Sequence, residues 1–153
     1  MVSLVADEFG RLTLYMVLRL PPSDNHIYFN LPKKKGQNWS GGRALTKDAR
    51  KYKLMVKEKT ARAAITNKLS FREHIAYRVE MTLFLDLFSK SWPKKAKWKF
   101  QKVDTLNRTK LLLDAIADAI GVDDRHIVDV TVRKEDDPSE PRVEVKVEEM
   151  WKR

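Results

Sequence analysis

Residues 104–133 read DTLNRTKLLLDAIADAIGVDDRHIVDVTVR, and the hydrophobic period changes inside them. Leu111, Leu112, Ala115, Ile116, Ala119 and Ile120 recur at steps of three and four, the spacing of one helix face. Asp104 or Thr105 opens this helix, which runs to about Ile120, and Gly121 is placed to cap its end. Beyond the pair Asp123-Asp124 the apolar period falls to two across His126–Arg133, which is the period of a strand.

Working outward, the same two periods organise the rest of the chain. Upstream, Tyr77, Val79, Met81, Leu83 and Leu85 alternate within Ile75–Phe88, predicting a strand. Ser89–Val103 breaks the pattern. Thr46 is a plausible N-cap for a helix beginning at Asp48 and running to about Asn67, with Tyr52, Met55, Val56, Ala63 and Ala64 on its packing side. Leu12, Leu14, Met16, Leu18 and Leu20 alternate in Arg11–Leu20, a strand that Pro21 and Pro22 stop. Ser23–Leu45 reads as a long connection containing Gly36, Gly41 and Gly42. Downstream, Glu135–Pro141 is a turn, and Val143, Val145 and Val147 mark a last strand over Arg142–Glu149. The final two strands are expected to form a hairpin. The order is β-α-β-α-β-β, so the class is α/β (α+β). One small domain over 1–153 is expected, a mixed sheet with helices packed on it.

Composition narrows the partners. Hydrophobic residues are 42% and charged residues 34% of the 153, which suits a soluble globular chain rather than a disordered one. There is no cysteine, so disulfides and thiolate zinc sites are excluded. No apolar run reaches membrane-span length, so no membrane association is expected, and Met1–Gly10 lacks the basic start of a signal peptide. A cytoplasmic protein is expected, in a nucleoid-associated or phage-encoded setting. Lys and Arg number 31 against 21 Asp and Glu, and a net charge of +10 points to a polyanion, of which nucleic acid is the commonest.

The 104–120 helix also carries a polar side. Asp104, Asn107, Lys110, Asp114 and Asp118 stand at steps of three or four opposite the apolar face. The ordinary reading of such a stripe is solvation. However, Asp104 stands at the helix start after a long basic stretch, and Asp123 and Asp124 return just past its end. Carboxylates gathered in this way suit Mg²⁺, or Mn²⁺ in its place, as hard ions that take oxygen ligands. A neighbouring lysine such as Lys110 is suited to neutralising a phosphoryl transition state. Elsewhere, Lys33, Lys34 and Lys35, with Arg43, lie in the glycine-bearing loop, where phosphate contact competes with a simply solvated charge run. Lys94, Lys95 and Lys97 interleave with Trp92, Trp98 and Phe100. Trp98 and its neighbours suit stacking on exposed bases as well as packing against the core. His26, His74 and His126 show no zinc spacing.

Leu20-Pro-Pro-Ser-Asp-Asn-His-Ile-Tyr28 is the first of three blocks that resemble the RusA family of Holliday-junction resolvases, and it is similar to the family's proline-proline-serine-x-asparagine signature after its first strand. The second is Ala44-Leu-Thr-Lys-Asp-Ala-Arg-Lys-Tyr52, similar to the opening of its first helix. The third joins Lys102-Val-Asp-Thr-Leu-Asn-Arg-Thr-Lys110, Leu113-Asp-Ala-Ile116 and Val122-Asp-Asp-Arg-His-Ile-Val128. It resembles the family's aspartate-x-aspartate-asparagine-x-x-lysine motif, the helix after it and the aspartate pair before a strand. The resemblance implies a Mg²⁺-dependent endonuclease that cuts branched DNA, four-way junctions above all, as a homodimer. It implies Asp104 and Asp124 as catalytic metal carboxylates with Asp123 beside them, Lys110 as the catalytic lysine and Asn107 as motif support, and it brings Asn25 near DNA. The chain departs from the motif at Leu106, where a second aspartate is expected. Asp114 or Asp123 would then complete the metal set, or the metal would be held weakly, or the protein would bind junctions and cut them poorly. That last case, a non-catalytic or weakly catalytic branched-DNA binder, is the main alternative. An RNA-binding module using the lysine–aromatic stretch is a third reading, and no RNA-binding signature supports it.

Overall fold

The computed structural model describes residues 1–22, 27–31, 42–72, 74–88 and 105–150, with the backbone alone described at 105–107. Strand β1 (Val2–Ala6) and β2 (Leu12–Leu18) form an antiparallel hairpin. Asp7 organises its turn: one carboxylate oxygen accepts from the Phe9 and Arg11 amides at 2.9 Å each, and Gly10 takes φ +71°, a region glycine enters without strain. Strands β3 (Tyr28–Asn30) and β4 (Arg43–Leu45) pair in a separate two-stranded sheet that leads into helix α1 (Lys47–Asn67). Then come β5 (Tyr77–Leu85), α2 (Thr105–Ile120), a short 3-10 turn at Asp124–His126, β6 (Ile127–Asp136) and β7 (Arg142–Glu149).

Both helices form where local chemistry directs. The Thr46 side chain accepts from the Ala49 amide at 3.3 Å and starts α1. Lys68 ends α1 in the left-handed region at φ 54°, and the Leu69 amide returns to Ala64 O. At the end of α2, Gly121 (φ +73°) lets the Val122 amide reach Ala117 O at 3.1 Å, a Schellman closure.

The main sheet is mixed, in the order β1-β2-β7-β5-β6, with only β5 and β6 parallel. This corrects the expected hairpin: β6 and β7 do not pair, because β5 lies between them. The Asp137–Pro141 connection passes over the end of β5, where the Asp137 amide donates to Leu85 O at 2.9 Å. Five extended residues reach about 16 Å, enough to cross two strand spacings of about 4.8 Å. Pairing β7 with β5 and β2 places Val143, Val145 and Val147 in the sheet interior, all nearly inaccessible. The order also gains β1 and the β3–β4 pair. They escape the sequence patterns because each is short and only Leu4 among them is buried.

The helices pack together on one face of the sheet. Ala49, Tyr52, Val56 and Ala63 of α1 join Leu111, Leu112, Ala115 and Ile116 of α2 in one buried cluster with the inward residues of β2, β5 and β7. The opposite face bears a polar ladder. Glu148, Arg78 and Asp129 lie in one row across β7, β5 and β6, and Arg78 Nε is 2.7 Å from Asp129 Oδ2. Among the described residues no helix is long and apolar enough to cross a membrane.

Candidate active site

The seam between α2 and β6 gathers most of the described polar candidates. Lys110 and Asp114 are one turn apart on α2, so their side chains leave the helix on the same side. The turn into β6 brings Asp124 to the same place. A cavity of about 330 Å³ opens there, lined by Thr109, Lys110, Leu113, Asp114, Asp124, Ile127 and Val130. Ile127 and Val130 belong to the edge strand, so the apolar lining comes from β6 and Leu113 of α2, and the polar lining from α2 and the turn.

Electrostatics distinguish the acids. Burial pushes the Asp114 carboxyl above its ordinary value; the Lys53 and Lys110 ammonium groups oppose the shift, and the Asp124 and Asp118 charges add to it. Lys53 reaches across from α1 and pairs with Asp118 at 2.5 Å. Asp123 behaves differently. Its side chain caps the 3-10 turn by accepting from the Arg125 amide at 2.9 Å, and both its oxygens take bonds from the Arg125 guanidinium at 2.8 Å. Those bonds hold its carboxyl well below the usual range. Asp124 therefore faces the cavity, while Asp123 is engaged with its own turn.

The structure thus brings together Lys110, Asp114 and Asp124, and directs Asp123 to Arg125. Leu106 and Asn107 fall in the first turn of α2. Arg43 is exposed at the start of β4. Asp104, which directly precedes α2, lies outside the described residues, as do Asn25, Lys33, Lys34, Lys35, Lys94, Lys95, Lys97 and Trp98. Among the described residues no three carboxylate or imidazole groups converge closely enough to hold a cation by themselves. Lys53 is the residue that sequence reading passed over. In sequence it is one of seven basic residues on α1, and only the packing of α1 on α2 singles it out.

The profile of one protein family, endodeoxyribonuclease RusA, matches residues 29–148. The chain belongs to the RusA endodeoxyribonuclease family. The match runs from Phe29 in β3 to Glu148 in β7 and includes every residue lining the α2–β6 cavity; β1 and β2 lie before it. No curated protein matches the chain. Within this RusA-family fold, the seam cavity sets two carboxylates, Asp114 and Asp124, beside the Lys110 ammonium.

Proposed function

We propose that this protein is a Mg²⁺-dependent endodeoxyribonuclease that resolves four-way DNA junctions, working as a homodimer that makes paired nicks. The observation that supports this reading best is the meeting of Asp114, Asp124 and Lys110 at one cavity in a chain of net charge +10. The donor chemistry fits the ion: two carboxylates line the cavity, and the sequence places a third, Asp104, at the entry to the same helix. Asp104, Asp124 and Asp114 would hold the cation. Asp123, already bonded to Arg125, would steady the turn that presents Asp124. A cation held there would supply the Lewis acidity that activates water near neutral pH and offsets charge on the scissile phosphate.

The remaining work falls to the protein's own groups. The Lys110 ammonium faces the added negative charge of the pentacovalent phosphorus. Lys53, through its charge, favours the ionised form of Asp114 against the effect of burial. The carboxylates repel DNA until a cation is present, and the basic surface offsets that repulsion. Hydrolysis would leave 5′-phosphate and 3′-hydroxyl ends.

The test is nicking of an end-labelled four-way junction with Mg²⁺ or with EDTA, beside a linear duplex of the same sequence. Asp104→Asn and Asp124→Asn should abolish cutting and leave junction binding intact or tighter. Sedimentation should show a dimer. A wild-type protein that binds junctions but cuts none with Mg²⁺ or Mn²⁺ would be a junction binder instead, the reading that Leu106 at the motif's aspartate position favours.

A further inference from the structure

Helix α1 carries seven basic residues against two acids, Asp48 and Glu58. Its buried residues Ala49, Tyr52, Val56, Thr60 and Ala63 define the side that meets the sheet. At about 100° per residue, Lys53 and Lys57 leave on the flank toward α2. Lys59, Arg62 and Thr66 leave on the opposite flank, toward β1. A groove of about 290 Å³ opens on that flank, lined by Val2, Lys59, Arg62, Ala63, Thr66 and Asn67.

The lining of this groove is chemically one-sided. It offers an ammonium, a guanidinium and a hydroxyl, and no acid. Neither Lys59 nor Arg62 is ion-paired among the described residues. The Asn67 amide donates one hydrogen to Ala63 O at 2.8 Å, and its NH₂ group carries a second. Glu58 stands four residues before Arg62 on the exposed side of the helix but does not line the groove, so inside it two neighbouring cations repel each other, and an anion seated between them removes that cost. The cavity below the β1–β2 turn makes the contrast: there Arg11 and Arg78 are interleaved with Asp7, Glu148 and Glu149.

We infer that the Lys59–Arg62–Thr66 groove seats a backbone phosphate of the bound DNA, on the far flank of α1 from the acid centre. The inference rests on the proposed DNA-cutting function and adds a second contact to it. Arg62 is nine residues beyond Lys53. That is about 14 Å along the helix axis and about 10 Å across it, on the order of five base-pair steps of 3.4 Å. The phosphate therefore belongs to a duplex arm away from the cut, and the groove anchors that arm while the scissile bond lies at the α2–β6 seam.

The experiment is anisotropy of a labelled four-way junction in EDTA, so that nothing is cut, across a range of salt. Arg62→Glu should weaken binding about tenfold and lower the slope of log K against log salt by about one, the contribution of one phosphate contact. Arg133→Glu makes the same charge change on the helix-free face of the sheet, in the row of Thr82 and Glu144, and should weaken binding less than about threefold. The neutral double variant Lys59→Gln/Arg62→Gln should reproduce the loss, with circular dichroism confirming that each variant is folded. Equal losses for Arg62→Glu and Arg133→Glu would reduce the effect to net charge and overturn the inference, as would unchanged binding by Arg62→Glu. Wild-type protein that binds no branched DNA would overturn the proposed function, and this site with it.

Discussion

Metal binding at the α2–β6 seam should be visible without any cutting, through the melting temperature. Asp124 and Asp114 line one cavity, and the Asp124 charge contributes to the raised pKa of Asp114. A cation held between them reverses that repulsion and binds only the folded chain. For 153 residues, an unfolding entropy of about 2.1 cal/mol/K per residue gives about 0.32 kcal/mol/K, so each 1 kcal/mol moves Tm by about 3 °C. At Mg²⁺ tenfold above Kd the linkage is RT ln 11, about 1.4 kcal/mol, hence a rise of about 4 °C. Asp124→Asn removes a ligand, and its Tm should move by less than about 1 °C over the same titration. Its metal-free Tm should equal the wild-type value or exceed it by up to about 3 °C, since relieving one pair of partly solvated like charges contributes about 1 kcal/mol or less. The assay is thermal melting by circular dichroism against MgCl₂, with NaCl at matched ionic strength to remove general screening. A Mg²⁺-specific rise of the same size in Asp124→Asn would refute the assignment of Asp124, and no rise in the wild type would refute the seam as a metal site.

Three further outcomes are expected. Asp114 must be ionised to hold a cation, and its carboxyl already titrates above the ordinary value, so Lys53→Met, which removes an opposing positive charge, should move the acid limb of the nicking pH profile to higher pH; an unmoved limb would separate Lys53 from the site. Leu106→Asp should leave the Mg²⁺ dependence of nicking superimposed on the wild-type curve, because Asp114 supplies the third carboxylate, and a clear shift to lower Mg²⁺ would show that the site lacks a ligand. Ile116→Ala, at a fully buried position between α2 and the sheet, should cost about 3 kcal/mol in urea unfolding, and a loss below about 1 kcal/mol would mean that α2 is not seated as described.

The ends of α1 and α2 and the alternation of β2, β5 and β7 were legible in the sequence because each depends on neighbours a few residues away. Thr46 bonds to the third amide after it, Gly121 adopts a positive φ, and inward residues repeat every second position. The family was legible for a related reason: its motif residues stand at short, characteristic spacings, and the matched span covers most of the chain. Strand neighbours were not legible. Two consecutive strands joined by a short turn look the same in sequence whether they pair or straddle a third. Here β5, whose five alternate residues are all buried, takes the place between β6 and β7, where a strand on each side and the helices on one face cover it. The site divides in the same way. That Lys110 and Asp114 share a face follows from helix geometry alone. That Asp124 joins them while Asp123 turns to Arg125, and that Lys53 rather than another of the α1 basic residues reaches the acids, depends on side-chain directions set at a packed interface. Charges far apart in sequence meet only where the core holds the elements that carry them, so the tertiary structure alone decided that Asp124 joins Asp114 at the cavity and that Lys53 is the α1 lysine paired with Asp118.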